Sequence, residues 1–68
     1  MDKHSITVKT PYGTFTATWE RAGRNIIVRY GEREKPAQAS DNHATNDFVA
    51  RDIVRGWIAE DMKDSDVA

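Results

Sequence analysis

Hydrophobic and polar residues alternate strictly from Thr14 to Glu20, where Phe15, Ala17 and Trp19 are separated by threonines. A period of two is typical of a β-strand that buries one face. The pattern therefore predicts the central strand of a small sheet. Ala17 lies between two large aromatic side chains and leaves a shallow depression in the apolar face, against which a helix can pack.

Two further segments alternate in the same way and predict the neighbouring strands. Ile6 and Val8 are the apolar positions of a short strand before the central one. Ile26, Val28 and Tyr30 are those of a strand after it. Together the three segments predict an antiparallel meander with one apolar face.

Turn residues between these segments set the register. Pro11 and Gly13 mark the first turn, and a loop with an even number of residues is required to bring both sets of apolar side chains to one face. Gly23-Arg24 suits a type II′ turn, because glycine takes the first central position. This turn predicts that Trp19 pairs with Val28.

An amphipathic helix is predicted in the last third of the chain. It is expected to begin near Thr45, Asn46 or Asp47, whose side-chain oxygens can cap it, and to end near Met62. At 100° per residue, five apolar residues fall on one stripe: Val49, Ala50, Ile53, Val54 and Trp57. The predicted core combines residues of the strands and of the helix. It comprises Ile6, Val8, Phe15, Ala17, Trp19, Ile26, Val28, Tyr30, Val49, Ile53, Val54 and Trp57.

Residues 31–44 contain no large apolar side chain, so we expect a flexible loop there. The resulting prediction is an α+β fold in β-β-β-α order, with a three-stranded antiparallel meander and one C-terminal helix packed on one face. Residues 1–62 form the single domain. Residues 63–68 are expected to be a disordered acidic tail.

Composition narrows the function classes. The chain has 68 residues and no cysteine, which excludes disulfides and thiolate metal sites, and its small core makes dimerisation an alternative source of stability. It shows no signal-peptide or membrane-spanning pattern, which favours a cytoplasmic protein.

The net charge of -1 disfavours strong non-specific binding to nucleic acid. Residues 1–35 carry net positive charge and residues 36–68 net negative charge, an asymmetry typical of solvated faces.

No catalytic or cofactor motif is present. The histidines, His4 and His43, are expected on mobile segments, which disfavours catalysis. One group of polar residues has side chains that can bind a metal ion, but it lacks the spacing of a calcium loop: Asp41, His43, Asn46 and Asp47. The dispersed glycines match no phosphate-binding loop. We therefore expect no enzyme activity, no cofactor and no metal.

Protein interaction is the first functional expectation. Four apolar side chains lie outside the predicted core: Ile27, Phe48, Ile58 and Met62. The outer strands also leave both sheet edges open to pairing. These features predict a non-enzymatic interaction module that forms a homodimer or binds another protein.

Nucleic-acid binding is the alternative. The residues available for it lie on the outer sheet face and one turn: Lys9, Thr16, Thr18, Arg21, Arg24 and Arg29. The expected topology is similar in outline to plant AP2-type and some integrase amino-terminal DNA-binding domains, without matching motif residues. This resemblance implies a sheet that enters a DNA groove.

Overall fold

The computed structural model describes residues 3–66, with side chains described as far as Met62. One antiparallel sheet follows chain order: β1 (Lys3–Thr10), β2 (Gly13–Ala22), β3 (Asn25–Tyr30) and β4 (Arg33–Gln38). Helix α1 (His43–Asp66) completes the fold. The α+β class and the C-terminal helix are confirmed, but the sheet has four strands where the pattern predicts three.

The predicted register of the first three strands is confirmed. Val8 lies opposite Phe15 across a two-residue turn, so the apolar positions of β1 and β2 share a face. Trp19 lies opposite Val28. Gly23 has a φ of 65°, and its neighbour Arg24 is not among the described residues with positive φ, as a type II′ turn with glycine in first position requires.

The flexible loop predicted over residues 31–44 is wrong for its first half, where β4 pairs with β3. Gly31, with a φ of 60°, opens a third two-residue turn that places Arg33 opposite Tyr30. Little apolar burial supports β4, since Ala37 alone among its residues packs against the core. The strand is held mainly by its backbone pairing and by contacts of Arg33 with the helix.

Helix α1 begins earlier than predicted. The Oδ1 of Asn42 accepts hydrogen bonds from the backbone N–H groups of Ala44 (2.8 Å) and Thr45 (3.4 Å), which makes Asn42 the capping residue. The predicted caps Thr45 to Asp47 lie inside the helix. The amide of Asn46 is buried instead, and it bonds both the N–H and the carbonyl of Ser40 (2.6 and 2.9 Å).

The buried face of the helix is turned away from Val49 and towards Ile58. Ile58 is 1% exposed and belongs to the core, so its predicted place at the margin is wrong. Met62 packs against the core, and Trp57 is half-buried. The fully buried cluster is Ile6, Val8, Ala17, Trp19, Ile26, Val28, Ala50, Val54 and Ile58. The other predicted core residues pack against it.

The helix continues to Asp66, past the end predicted near Met62. Residues 63–66 of the predicted tail are therefore helical in backbone. The remainder of that tail, Val67 and Ala68, lies outside the described residues.

Candidate interaction surface

One face of the sheet is left uncovered, because α1 packs on the opposite face and no other element is present in residues 3–66. The alternation of each strand assigns the side chains of this outer face. It carries Ser5, Thr7 and Lys9 from β1, Thr14, Thr16, Thr18 and Glu20 from β2, Ile27 and Arg29 from β3, and Glu34 and Pro36 from β4.

An ion triad crosses the outer face. The guanidinium of Arg29 bonds Glu20 on β2 through Nη1 and Glu34 on β4 through Nε (3.2 Å). The hydrogen bond from Arg29 lowers the pKa of Glu20 despite partial desolvation, and the two carboxylates raise the pKa of Arg29. Glu20 and Arg29 are therefore both charged at neutral pH, and Arg29 is paired within the surface with a carboxylate on either side.

Ile27 lies beside this triad. It is half-buried and pairs with Glu20 on one side and Pro36 on the other. The centre of the outer face thus combines an isoleucine, a proline and the threonines of β2. These side chains carry no charge, so they lose little hydration energy when a partner covers them.

The four predicted interaction residues do not form one surface. Ile27 lies on the outer sheet face, whereas Phe48 is 65% exposed on the helix. Ile58 fills the core and Met62 packs against it, so these two side chains already have partners in their own chain. Ile27 and Phe48 are the members that remain accessible.

The six predicted nucleic-acid residues are also divided. Lys9, Thr16 and Thr18 lie on the outer face as expected. Arg21 instead donates to the carbonyls of Gly23 (3.1 Å) and Ser40 (3.2 Å) and lies 3.8 Å from a carboxylate oxygen of Asp41.

The remaining two arginines of that set differ in their partners. Arg24 lies in the β2–β3 turn. Arg29 is engaged by two carboxylates. The cation expected to meet phosphate at the centre of the face is therefore already paired.

Both sheet edges are obstructed. Next to a two-residue turn alternate pairs exchange hydrogen bonds, which directs the carbonyl of Thr7 to the open edge of β1. Arg51 of the helix donates to that carbonyl. The same counting points the missing N–H of Pro36 to the open edge of β4, so this strand offers a partner one donor fewer.

The structure also assembles a ring cluster that sequence reasoning missed. His4 lies on β1 and His43 begins the helix, and both rings pack near Trp19, with centroids 4.4 and 5.3 Å from the indole. The expectation that both histidines occupy mobile segments is wrong. Pairing of β1 with β2 places His4 directly opposite Trp19, so the predicted register itself was the signal for this contact.

Asp47 is committed to structure beside this cluster. Its Oδ1 accepts from the indole Nε1 of Trp19 (3.2 Å) and its Oδ2 from Arg51 (2.7 Å). Among the side chains that the structure describes, those of residues 3–62, no three acidic, histidine or cysteine side chains are grouped to hold a metal ion. Of the residues suggested for a metal site, Asp47 joins the helix to the sheet and Asn46 joins the helix to the loop before it.

Comparison with known proteins finds no matching family model, no similar curated protein and no similar solved structure. In the part of the chain that the structure describes, no helix is long and apolar enough to cross a membrane.

Proposed function

We propose that the protein is a small, non-enzymatic interaction module that self-associates through the outer face of its sheet. The proposal rests on an uncovered face whose central arginine, Arg29, forms ion pairs with two carboxylates of the same face. Covering the centre of this face leaves Arg29 paired, and the unpartnered Lys9 of the described residues lies away from that centre, next to the β1–β2 turn. Two sheets that pack face to face are a common way to cover surfaces of this kind.

The obstructed edges support the choice of the face over strand pairing. Arg51 occupies the Thr7 carbonyl on β1, and Pro36 interrupts the donors of β4. Natural sheets use charged side chains and prolines in this way to discourage edge pairing. A second copy is therefore expected to meet the face around Ile27.

Size supports association as well. A chain of 68 residues buries only about 60% of the surface that its unfolded form exposes, and the described core has nine buried side chains, two of which are alanines. Small domains without disulfides or metals commonly gain stability by oligomerisation. Covering Ile27 and its neighbours would enlarge the apolar area removed from water.

The test is the solution mass over a dilution series, measured by sedimentation velocity. The wild type is expected to dissociate from dimer to monomer on dilution. Ile27→Glu and Thr16→Arg, both on the outer face, should be monomeric at every concentration, and circular dichroism checks that they fold. Phe48→Glu, an exposed apolar residue on the helix, is the matched control and should still dimerise.

Two results would overturn the proposal. One is a wild type that is monomeric up to millimolar concentration. The other is dimerisation that survives both outer-face substitutions and disappears in Phe48→Glu, because the interface would then lie on the helix.

The outer face and the adjoining β2–β3 turn are the expected surface in the nucleic-acid alternative. Lys9 of the face and Arg24 of the turn favour it, because neither side chain has a hydrogen-bond or ion-pair partner among the described residues. Titration with duplex DNA would then shift the amide resonances of Lys9, Thr16, Arg24 and Arg29, with affinity that falls steeply as salt rises. Unchanged resonances together with a dimer mass would favour self-association.

A further inference from the structure

A groove of about 240 Å³ lies between the β1–β2 turn and the helix. Its apolar lining comes from Pro11 and Tyr12 of the turn and from Ile58 and Ala59 of α1. Lys9 lines it from β1, the edge strand of the sheet, and Arg55 lines it from the helix side. This groove was not anticipated by the sequence patterns, because its two walls are far apart in the chain.

The groove is built from residues that are held in place. Ile58 is fully packed in the core and forms a fixed floor. The hydroxyl of Thr10 donates to the carbonyl of Gly13 (3.0 Å) and accepts the backbone N–H of Tyr12 (3.1 Å), which closes the turn. Tyr12 nevertheless keeps 51% of its surface exposed, so the wall presents an open aromatic ring.

The charge of the groove is unbalanced. Arg29, Arg33 and Arg51 each bond a carboxylate, whereas Lys9 and Arg55 have no hydrogen-bond or ion-pair partner among the described residues. No acidic residue lines the groove. Two unpaired cations beside apolar walls attract an anion that also carries an apolar body.

We propose that this groove binds a small organic carboxylate with one flat apolar ring. The carboxylate would lie between Lys9 and Arg55, and the ring would pack between Tyr12 and Ala59, above the buried Ile58. The volume is below the usual range of sites for drug-sized ligands, roughly 300–1,000 Å³, so a single ring with its acid group suits it. The groove shares Lys9 with the edge of the outer face but lies away from Ile27 at its centre, and the proposal does not depend on self-association.

Phenylacetate is the probe, and amide resonances of the uniformly ¹⁵N-labelled full chain are the readout. We expect saturable shifts confined to residues 9–13 and 55–59. Phenylacetamide, which keeps the ring and loses the charge, should bind roughly tenfold more weakly, as expected for the loss of a charge-assisted hydrogen bond.

Substitutions of Lys9 and Arg55 test whether these two cations bind the carboxylate. Lys9→Gln and Arg55→Gln should each weaken phenylacetate binding roughly tenfold. Arg24→Gln removes an unpaired arginine at the opposite end of β2 and is the matched control, with unchanged affinity expected. The same titration of Ile27→Glu should give the wild-type affinity, which separates this site from the proposed dimer face.

Several outcomes would overturn the site. Shifts that do not saturate, or an equal loss in Arg24→Gln, would show non-specific attraction of an anion. Equal affinity for phenylacetamide would show that Lys9 and Arg55 hold no carboxylate. A peptide arm uses acetyl-Gly-Phe, which carries a similar ring and carboxylate on a chain. Binding of that peptide roughly tenfold more tightly than phenylacetate would assign the groove to a peptide C-terminus instead.

Discussion

The indole Nε1 of Trp19 donates a hydrogen bond to Oδ1 of Asp47 at 3.2 Å, which joins the middle sheet strand β2 to the start of the helix. The other oxygen of Asp47 accepts from Arg51 at 2.7 Å. Arg51 in turn reaches the carbonyl of Thr7 on β1. One carboxylate on the helix is thereby linked to two strands.

Replacing Asp47 should destabilise the fold. In Asp47→Ala the indole N–H of Trp19, a residue only 2% exposed, loses its acceptor, at a cost of roughly 1–3 kcal/mol. Asp47→Asn keeps an acceptor oxygen and should cost less. Urea unfolding followed by tryptophan fluorescence measures both. Asp52→Ala, an exposed helix position, is the control, and an equal effect of Asp52→Ala and Asp47→Ala would contradict the role of the hydrogen bond.

Stability should fall in acid because of the same carboxylate. Burial raises the pKa of Asp47, but hydrogen bonds from Arg51 and Trp19 and the charges of Arg51 and His43 outweigh it, and the net pKa is lowered. Its stabilising contribution is therefore complete above the unfolded pKa of about 3.9 and is lost as pH falls through the lower folded value.

The pH dependence can be isolated with Asp47→Asn. The difference in unfolding free energy between wild type and this variant should be largest at neutral pH and should shrink below about pH 4. Urea titrations from acidic to neutral pH measure it. A difference that stays constant across this range would contradict the lowered pKa.

The loss of stability on truncating a helix residue to alanine should increase with the burial of its side chain. Ile58→Ala empties a fully buried position and should cost about 2–5 kcal/mol. Trp57→Ala should cost less than the roughly 3–5 kcal/mol of a core tryptophan, because Trp57 is half-buried. Chemical denaturation of both variants gives the ranking. A larger loss in Trp57→Ala would mean that the helix face is turned as the sequence pattern predicts.

Substitution by alanine should change the stability of the fold in opposite directions at two glycines, Gly31 and Gly56. Gly31 opens the β3–β4 turn with a φ of 60°, where an L-residue is strained, so Gly31→Ala should destabilise by roughly 1–2 kcal/mol. Gly56 lies in the helix, and nothing approaches within 4 Å of an added Cβ. Gly56→Ala should therefore stabilise by roughly 1 kcal/mol. Thermal unfolding compares them, and stabilisation in both variants would argue against the β3–β4 turn.

The fourth strand shows where sequence patterns fail. Residues 33–38 lack the large apolar side chains that mark the other strands, so no alternation reveals them. Gly31-Glu32 repeats the glycine-first turn of Gly23-Arg24, and this local signal could have predicted a further hairpin. Backbone pairing to β3 supplies the order that side-chain burial does not.

The helix shows a different limit. Its apolar residues cover a broad arc, and Val49, Ile53 and Trp57 compete with Val54 and Ile58 for the same sheet. The face that wins also carries Asp47, whose bond to Trp19 fixes the rotation. A count of apolar positions cannot include a polar contact between distant residues.

Alternation and turn chemistry by themselves determined the first three strands, their register and the presence of a covering helix, because these depend on local backbone geometry and on which side chains leave water. Tertiary structure decided the fourth strand, the rotation of α1, the pairing of Arg29 with two carboxylates and the groove beside Tyr12. Each of these joins residues that are neighbours only after folding, since hydrogen bonds and ion pairs act over a few ångströms in space whatever the separation in sequence.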